Sequence, residues 1–403
     1  MLALAVISTH PIQYYAPLFR RLAETPGLAV RVFYLWDFGV QERHDPAFGQ
    51  SLRWDIDLLE GYDHEFVPNR ARQPGTHHFR GVDNPTLPAR VAAFRPDAAL
   101  LVGYNHPSFL RLLFSPRLAR CKFLLRGDSH RLVPRRGPGA ALRRALLAAL
   151  FKRFAGFLYV GAANRRYYLQ HGVPERKLFF APHAVDNDRF SAARPQAERE
   201  AREWRRELGI DEGRRVVLFA GKYEEKKRPL DLLEAFRAAA VPGTTLLFVG
   251  GGPLEGELRR RAEGFSSVRF APFQNQSRMP RTLAAADVVA LPSAGADETW
   301  GLIVNESLCL DRPVVVSDRV GCAEDLVEPG ANGWVFPAGD VGALAGALRQ
   351  ALGPGVDLRG MGQRGRELVS RYHYRDTIAG LTDCLGAMFP SRQVAARLCG
   401  SDG

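Results

Sequence analysis

Short apolar segments alternate with longer amphipathic segments along most of this chain. Apolar runs of four to seven residues predict buried strands, and the longer segments between them predict helices. Alternation of this kind favours an α/β fold with parallel sheets. Helices are predicted at residues such as 15–24 and 140–154. The predicted strands are residues 2–8, 30–35, 98–102, 122–125 and 157–160 in the first half and 216–220, 245–249, 268–271, 288–291, 313–317 and 333–336 in the second.

The same pattern divides the chain. A polar segment rich in Arg and Glu, residues 191–214, separates two alternating units, and residues 198–208 within it predict a surface helix. We predict an N-terminal Rossmann-like domain over residues 1–190, a second over 191–370, and a helical tail over 371–403 that packs back toward the first domain. The two domains are expected to face a cleft, with ligands at the carboxyl ends of the strands.

Composition and charge narrow the classes of function. The 403 residues include 55 Lys and Arg against 43 Asp and Glu, and the net charge of +12 favours a polyanionic partner. No RNP, zinc-finger or helix-turn-helix signature is present, so nucleic acid is not expected. No apolar stretch reaches the roughly 18 residues of a membrane-spanning helix. The five scattered cysteines, without a CxxC pair, indicate reduced thiols and a cytoplasmic protein.

Two segments that follow predicted strands suit the binding of phosphate groups. Lys222 follows the predicted strand 216–220, and Lys227 lies further along in the same basic loop, so ammonium groups can reach a diphosphate beside the next helix. A solvated basic turn is the alternative for this segment taken alone. Gly250, Gly251 and Gly252 follow the next strand and allow a backbone to approach a ligand closely. Their spacing is not GxGxxG, which argues against a dinucleotide site.

Two carboxylates lie eight positions apart around the start of a helix. Glu298 lies in a loop after a predicted strand, and Glu306 lies inside a helix that begins near Gly301. Eight residues are about 2.2 helical turns, so both carboxylates can lie on one side of the helix start. One can then bind sugar hydroxyls and the other a ribose diol, while the amides of Trp300 to Ile303 face an anion between them. Two unrelated surface carboxylates are the alternative for this pair alone.

Together these segments resemble the donor-binding domain of the large retaining family 4 of glycosyltransferases, which have the GT-B fold. That family carries a G-[RK]-x4-K element, here Gly221-Lys222 with Lys227, and an E-x7-E element, here Glu298 with Glu306. The resemblance implies transfer of a hexose from a nucleotide sugar to a glycan or lipid-linked acceptor, with retention of configuration. It places this activity in bacterial cell-surface polysaccharide or glycolipid synthesis.

The resemblance also implies roles for individual residues. Lys222 and Lys227 would hold the donor diphosphate and neutralise the charge that develops as it leaves, so neither a metal nor another cofactor is expected. Glu298 would contact the transferred sugar, Glu306 the ribose, and residues 271–274 the base. The implied catalytic residues are Glu298, Lys227 and His106. The implied donor-binding residues are Lys222, Lys227, Gly252, Phe273, Glu298, Thr299, Trp300, Gly301, Leu302 and Glu306.

The N-terminal half carries a looser form of the resemblance. Its first loop, residues 10–15, reads HPIQYY and is similar to a bacterial subgroup that begins HPIQY. His10 and Gln13 are therefore expected at the cleft, although His10 at a strand end also suits a role in capping a turn. His106 is the nearest candidate for a histidine that family members often have near the active centre, about four residues later than usual.

Two further groups of charged residues belong to this half. Arg126, Asp128 and His130 follow a predicted strand and are assigned to recognition of the acceptor. Asp55 and Asp57 mimic the DxD metal motif of the other glycosyltransferase fold, but no nucleotide-binding pattern surrounds them, and we interpret the match as chance.

Residues 129–174 contain nine Lys or Arg and no acidic side chain. Apolar side chains lie between the basic ones, as in a surface that docks on an anionic membrane. We therefore expect peripheral association with the inner face of a membrane, and a helix with one buried face and an ordinary basic exterior is the alternative. The basic residues are Arg131, Arg135, Arg136, Arg143, Arg144, Lys152, Arg153, Arg165 and Arg166.

Two other classes of function stay open at this point. A sugar-nucleotide 2-epimerase can share the same two-domain fold and would act on the nucleotide sugar without an acceptor, but the E-x7-E spacing favours the transferase. A non-enzymatic protein that binds an anionic membrane surface would need only the positive charge. Incubation with the nucleotide sugar alone separates the enzymes, because only the epimerase isomerises it.

Overall fold

Helices and strands alternate through both halves of the computed structural model, which describes residues 1–41, 43–45, 50–130, 132, 137–295 and 298–392. The strands are β1 (Leu2–Ser8), β2 (Leu28–Tyr34), β3 (Arg43–Asp45), β4 (Gln50–Leu52), β5 (Asp63–Phe66), β6 (Ala98–Val102), β7 (Lys122–Arg126), β8 (Gly156–Tyr159), β9 (Leu178–Phe180), β10 (Arg215–Lys222), β11 (Thr244–Gly251), β12 (Val268–Ala271), β13 (Val288–Leu291), β14 (Val314–Ser317) and β15 (Gly333–Phe336). The helices are α1 (Ala16–Ala23), α2 (Leu87–Phe94), α3 (Pro107–Leu113), α4 (Pro138–Phe151), α5 (Ala162–Gln170), α6 (Asn187–Glu207), α7 (Pro229–Ala239), α8 (Glu255–Arg261), α9 (Met279–Ala284), α10 (Leu302–Cys309), α11 (Ala323–Leu326), α12 (Val341–Leu352), α13 (Leu358–Val369) and α14 (Tyr374–Met388).

The first half of the chain forms a seven-stranded sheet in the order β5-β2-β1-β6-β7-β8-β9. Its neighbouring strands pair in parallel. Leu4, Val6 and Ile7 of β1 are fully buried, because helices cover both faces of a parallel sheet. An apolar run of this kind is the signal that predicts such strands from sequence.

The second half forms a six-stranded sheet in the order β12-β11-β10-β13-β14-β15, and its strands are also parallel. Gly250 of β11 lies beside Gly221 of β10, and a Cβ on Gly250 would lie only 2.0 Å from the Gly221 carbonyl oxygen. Glycine at position 250 therefore lets two strand ends approach each other. The two Rossmann-like parallel sheets predicted from the sequence are confirmed.

Some strands of the structure are not marked by a long apolar run in the sequence. β5 has the polar sequence DHEF, and β9 has only three residues. Both lie at the edges of the first sheet, where a strand has one neighbour and more contact with solvent. The hairpin of β3 and β4 stands apart from both sheets.

A long helix, α6, leads from the first sheet to the second. The sequence predicts a helix from residue 198, but α6 begins at Asn187, because the carboxylate of Asp186 accepts a hydrogen bond from the backbone of Arg189 and caps it. Ala201 and Trp204 pack into the core of the second sheet. The domain bounds at residues 190 and 370 stay predictions.

The last helix, α14, packs against β8, β9 and α1 of the first half. A Cβ on Gly380 would lie 1.8 Å from the carbonyl oxygen of Phe180, so a residue without a side chain lets the helix approach β9. Tyr374 also donates a hydrogen bond to the carbonyl of Tyr14, over 2.9 Å. The carboxyl-terminal segment thereby fixes the first loop of the chain.

Candidate active site

A cavity of about 510 Å³ lies where the carboxyl ends of strands from both sheets meet. The predicted site residues that line it are Gln13, Asp128, Lys222, Lys227, Phe273, Glu298, Thr299, Trp300, Gly301, Leu302 and Glu306. The predicted site residues that lie outside its lining are His10, His106, Arg126, His130 and Gly252.

The two predicted lysines lie on one side of this cavity. β10 ends at Lys222, and Lys227 lies in the short turn before α7. The ammonium of Lys227 pairs with the carboxylate of Glu298, and the hydroxyl of Ser293 donates to the same carboxylate oxygen over 2.8 Å. This pairing holds both charges in place at the cavity wall, where a bound anion can compete for the ammonium.

Helix α10 begins at the wall of the cavity. Gly301 precedes it with a φ of +94°, and a Cβ there would lie 2.8 Å from the side chain of Val320. Glycine therefore lets the chain turn sharply into the helix. Gly301, Leu302 and Ile303 line the cavity, so the first backbone amides of α10 lie beside the space where an anion can bind.

Glu306 is the most deeply buried carboxylate of the site, with 1% of its surface exposed. Its Oε1 atom has no hydrogen-bond partner although it lies beside the cavity. Burial raises the pKa of the Glu306 carboxyl to about 7, and the charge of Arg189 and a hydrogen bond with Tyr14 limit the rise. The unpartnered Oε1 atom can accept a hydrogen bond from a hydroxyl group of a ligand.

The raised pKa of Glu306 makes stability depend on pH. Between its ordinary value of 4.5 and about 7, the folded state holds a proton that the unfolded state releases. We expect the free energy of unfolding of the wild type, relative to Glu306→Gln, to fall by about 3 kcal/mol as the pH rises from 5 to 8. Urea titrations of both proteins at each pH measure this difference. Parallel pH profiles would contradict the burial of an ionisable Glu306.

His183 also lines the cavity, although no motif in the sequence identifies it as a site residue. It follows β9, it is 5% exposed, and its Nε2 lies 3.6 Å from Oδ2 of Asp128. The same oxygen of Asp128 accepts a hydrogen bond from Thr299 over 2.6 Å. Burial lowers the pKa of His183, so the ring is neutral near pH 7. Its position after a strand was the available signal, but β9 itself was missed.

Asp128 forms a link between the two halves of the chain. Burial opposes the ionisation of Asp128, but its interactions with His183 and Thr299 outweigh that cost and lower its pKa to about 2. The carboxylate is therefore charged at neutral pH. Because Thr299 belongs to the second half, this ion holds the walls of the cavity together.

Arg126 and His130 lie outside the cavity lining and hydrogen-bond to backbone carbonyls of neighbouring segments. Arg126 is 2% exposed and donates to the backbone carbonyls of Ala181 and Pro182, the latter over 2.9 Å. It therefore positions the segment that carries His183, and its assignment to acceptor recognition stays a prediction. His130 Nε2 donates to the carbonyl of Glu298 over 3.2 Å, so it also joins the two halves.

The structure does not bring His10, His106 or Gly252 into the cavity. His10 packs edge-on against the rings of Trp36 and Phe38, and burial lowers its pKa to about 4. His106 is 2% exposed, and its Nδ1 hydrogen-bonds with the carbonyl of Phe79, over 3.1 Å. His106 therefore lies outside the cavity lining, and its catalytic role stays a prediction.

Gly252 lies just beyond the end of β11, with a φ of +147°. Val249, which comes earlier on the same strand, is the residue of β11 that lines the cavity. The glycine-rich segment therefore shapes the ends of β10 and β11. Gly252 itself lies outside the lining, and its contact with the donor stays a prediction.

The two aspartates of the DxD match have separate structural partners. Asp57 accepts hydrogen bonds from the backbone amides of Leu59 and Glu60, which lower the pKa of Asp57. Asp55 accepts from the backbone amide of Ser277 in the second half. Within the described ranges, no three His, Cys, Asp or Glu side chains gather closely enough to hold a metal ion.

Part of the basic stretch lies on α4, where both leucine and arginine side chains are exposed. Leu142 and Leu146 are each 62% exposed, next to the exposed Arg143 and Arg144. Leu147, Phe151 and Phe154 are buried instead. None of the helices in the described part of the chain is long and apolar enough to cross a membrane.

Other residues of the basic stretch have acidic partners. Arg165 pairs with Glu175, and Arg166 pairs with Glu324 of the second half over 2.5 Å. These two arginines therefore contribute less free charge than the sequence suggests. Arg131, Arg135 and Arg136 lie outside the described residues.

Comparison with known proteins gives consistent matches to this architecture. The family model described as "Glycosyl transferases group 1" matches residues 200–368. A D-inositol 3-phosphate glycosyltransferase of Nocardia farcinica is 32% identical over 346 residues, which cover 77% of this chain and 73% of that protein. A GDP-mannose-dependent monoacylated alpha-(1-6)-phosphatidylinositol monomannoside mannosyltransferase of Corynebacterium glutamicum is 32% identical over 196 residues, covering 47% of this chain and half of that protein's length.

Solved structures extend the likeness to nearly the whole chain. The structure of Anabaena Alr3699/HepE in complex with UDP and glucose superimposes with a TM-score of 0.71 at 18% identity. The match covers 96% of this chain and all of that one. At this level of identity the likeness shows a shared fold.

Proposed function

The chain belongs to the group 1 family of glycosyltransferases and has their two-sheet GT-B fold. From this premise we propose that its cavity binds a nucleoside diphosphate sugar and that the enzyme transfers the hexose to a glycan or lipid-linked acceptor. One observation carries the proposal. Lys222, Lys227, Glu298 and Glu306 line a single cavity together with the amino-terminal end of α10.

In the proposed mechanism the positive side of the cavity binds the diphosphate. The donor phosphates displace Glu298 from the ammonium of Lys227, and Lys222 and the first amides of α10 bind the same anion. As the bond between the sugar and the diphosphate breaks, charge builds up on the departing oxygen. Fixed cations and amides stabilise that charge without reorganising, which lowers the barrier.

The carboxylates orient the rest of the donor. Glu306 accepts hydrogen bonds from the ribose hydroxyls through its unpartnered oxygen, and Glu298, released from Lys227, accepts from hydroxyls of the sugar. The acceptor approaches from the first half, where Asp128 and His183 line the opposite wall. Retention of the anomeric configuration is part of the proposal and rests on the resemblance of the donor-binding elements.

A thermal-shift screen with UDP-, GDP-, ADP- and dTDP-sugars tests the proposal, because a bound donor raises the unfolding temperature by mass action. The proposed function predicts that one of these nucleotides stabilises the protein, and that the shift persists in EDTA because lysines neutralise the diphosphate. If none of the donors shifts the transition, the cavity is not a nucleotide-sugar site.

We also propose that the enzyme works at the cytoplasmic surface of an anionic membrane, where α4 docks. The exposed leucines Leu142 and Leu146 can enter the lipid interface while Arg143 and Arg144 contact anionic headgroups. The two relatives described above are named for acceptors that carry inositol phosphate or phosphatidylinositol groups. A surface of this chemistry brings a lipid-linked acceptor to the cleft.

Replacing both exposed leucines tests this docking surface. Burying a leucine side chain is worth about 1.5–3 kcal/mol, so the Leu142→Ser, Leu146→Ser double variant is expected to bind vesicles roughly 100-fold more weakly than the wild type. Co-sedimentation with vesicles of phosphatidylglycerol and phosphatidylcholine measures this change. Leu169→Ser, at an exposed leucine on α5, serves as the control and should bind like the wild type. Equal binding by the double variant would exclude α4 as the docking element.

A further inference from the structure

A loop of the first half reaches across the cleft to the donor side of the cavity. Trp54, in the loop that follows β4, lines the cavity together with Phe273, Gln274 and Met279 of the second half. The ring centroids of Trp54 and Phe273 are 6.4 Å apart with an angle of 58° between the planes, which is a typical aromatic contact. The two rings, one from each half, therefore form an aromatic part of the cavity wall.

Hydrogen bonds on both sides of Trp54 fix the loop to the second half. The side-chain amide of Asn275 donates to the carbonyl of Arg53 over 2.7 Å. The carboxylate of Asp55 accepts from the backbone amide of Ser277 over 3.0 Å and also from the Ser277 hydroxyl. Trp54 thus lies between two residues that are each bonded to the opposite half, and we call these contacts the clasp.

Gly39 of the first half also contacts Trp54. The backbone amide of Trp54 donates to the carbonyl of Gly39 over 3.3 Å. Gly39 has a φ of +89°, and a Cβ there would lie 3.0 Å from Cδ1 of the Trp54 ring. A side chain at position 39 would therefore strain the backbone and press against the ring.

We propose that Trp54 contacts the nucleobase of the donor and that the clasp holds it there. This inference rests on the proposed function and adds a donor contact from the half that faces the acceptor. The lysines and the start of α10 are the cavity's sites for phosphate, and Glu306 is its site for ribose. Trp54 and Phe273 form an aromatic pair in the lining of the same cavity, and an aromatic surface of this kind is the chemistry that recognises the face of a planar base.

The proposal gives the DxD match a role other than metal binding. Asp55 is a positioning residue, because its carboxylate bonds to Ser277 and sets the position of the neighbouring Trp54. Asp57 stabilises the turn that follows, through its hydrogen bonds to Leu59 and Glu60.

Titration calorimetry of five variants, Lys227→Ala among them, with nucleoside diphosphates and with inorganic pyrophosphate tests the proposal, because pyrophosphate has the phosphates but no base. We expect Trp54→Ala to raise the Kd of the nucleoside diphosphate that the wild type binds by roughly tenfold or more, with the Kd of pyrophosphate unchanged. Trp54→Phe should restore most of the affinity. Asp55→Ala should raise the Kd of the nucleoside diphosphate less than Trp54→Ala does. Phe79→Ala, an exposed aromatic position outside the cavity, should match the wild type.

Three outcomes would overturn the inference. If Trp54→Ala and Asp55→Ala bind the nucleoside diphosphate as tightly as the wild type while Lys227→Ala does not, Trp54 makes no base contact but the proposed function stands. If Trp54→Ala weakens pyrophosphate as much as the nucleoside diphosphate, the ring has only a structural role. If the wild type binds none of the nucleoside diphosphates, the inference fails together with the proposed function.

Discussion

Replacing Lys227 with alanine is expected to lower the turnover number by roughly 100- to 1000-fold while the protein stays folded. The ammonium group lies at the cavity wall, paired with Glu298, and it is the cation that the donor diphosphate is proposed to capture. Without it, the charge that develops on the leaving diphosphate loses a fixed partner. The effect should fall on turnover more than on the KM for the donor, because the charge is largest in the transition state.

Steady-state assays of sugar transfer, with the thermal unfolding midpoint recorded for each protein, measure this effect. Lys122→Ala is the matched control. Lys122 is an exposed lysine at the amino-terminal end of β7, whereas the cavity lies at the carboxyl ends of the strands. Turnover near that of the wild type in Lys227→Ala would remove this residue from the proposed mechanism.

Replacing Glu306 with alanine is expected to lower kcat/KM for the donor by roughly 100-fold, mainly through KM. Hydrogen bonds to a charged group contribute about 1.5–3 kcal/mol each, and a ribose diol can form two with this carboxylate. The variant should stay folded, because the wild-type side chain already leaves Oε1 buried without a partner. Glu306→Gln should retain part of the affinity, since its carbonyl oxygen still accepts one of these bonds.

The donor KM of Glu306→Ala and Glu306→Gln, compared with that of Glu263→Ala, measures the contribution of this carboxylate. Glu263 is an exposed glutamate in the same half and lies outside the cavity lining. An unchanged KM in Glu306→Ala would place the ribose elsewhere in the cleft.

The central strands of both sheets could be predicted from the sequence because each is a continuous apolar run. β1, β6, β12, β13 and β15 have the predicted bounds. β1, β6 and β13 lie inside their sheets, and nearly every residue in them faces the core. β12 and β15 are edge strands with some exposed or half-buried residues, but their short apolar runs still marked them. β5 and β9, at the sheet edges, carry too few apolar residues to stand out.

The missed strand had a consequence for the site. His183 lies just after β9, and without that strand the sequence offered no reason to place it at the carboxyl edge of a sheet. Arg126 follows a strand that the sequence does predict, and from this position at the carboxyl edge of the sheet we expect it to face an acceptor. Its side chain turns instead to the carbonyls of Ala181 and Pro182, a contact between residues more than fifty positions apart. Spacing along one element does not encode contacts of this kind.

The spacing of Glu298 and Glu306 did predict that both carboxylates reach the same cavity. It could not predict that they differ in burial. Tyr14 of the first half lies against Glu306 and, with the surrounding core, seals it from water. The helix therefore determines where the carboxylates lie, and Tyr14 of the opposing half contributes to the surroundings of Glu306.

The central claim is that the cavity between the two sheets is a site for a nucleoside diphosphate sugar, and titration calorimetry of UDP, GDP, ADP and dTDP tests it most directly. We predict that one of the four binds the wild type with a stoichiometry of one and that Lys227→Ala and Glu306→Ala both weaken that binding, whereas Lys122→Ala does not. Failure of all four to bind, or binding that both cavity variants leave unchanged, would contradict the claim.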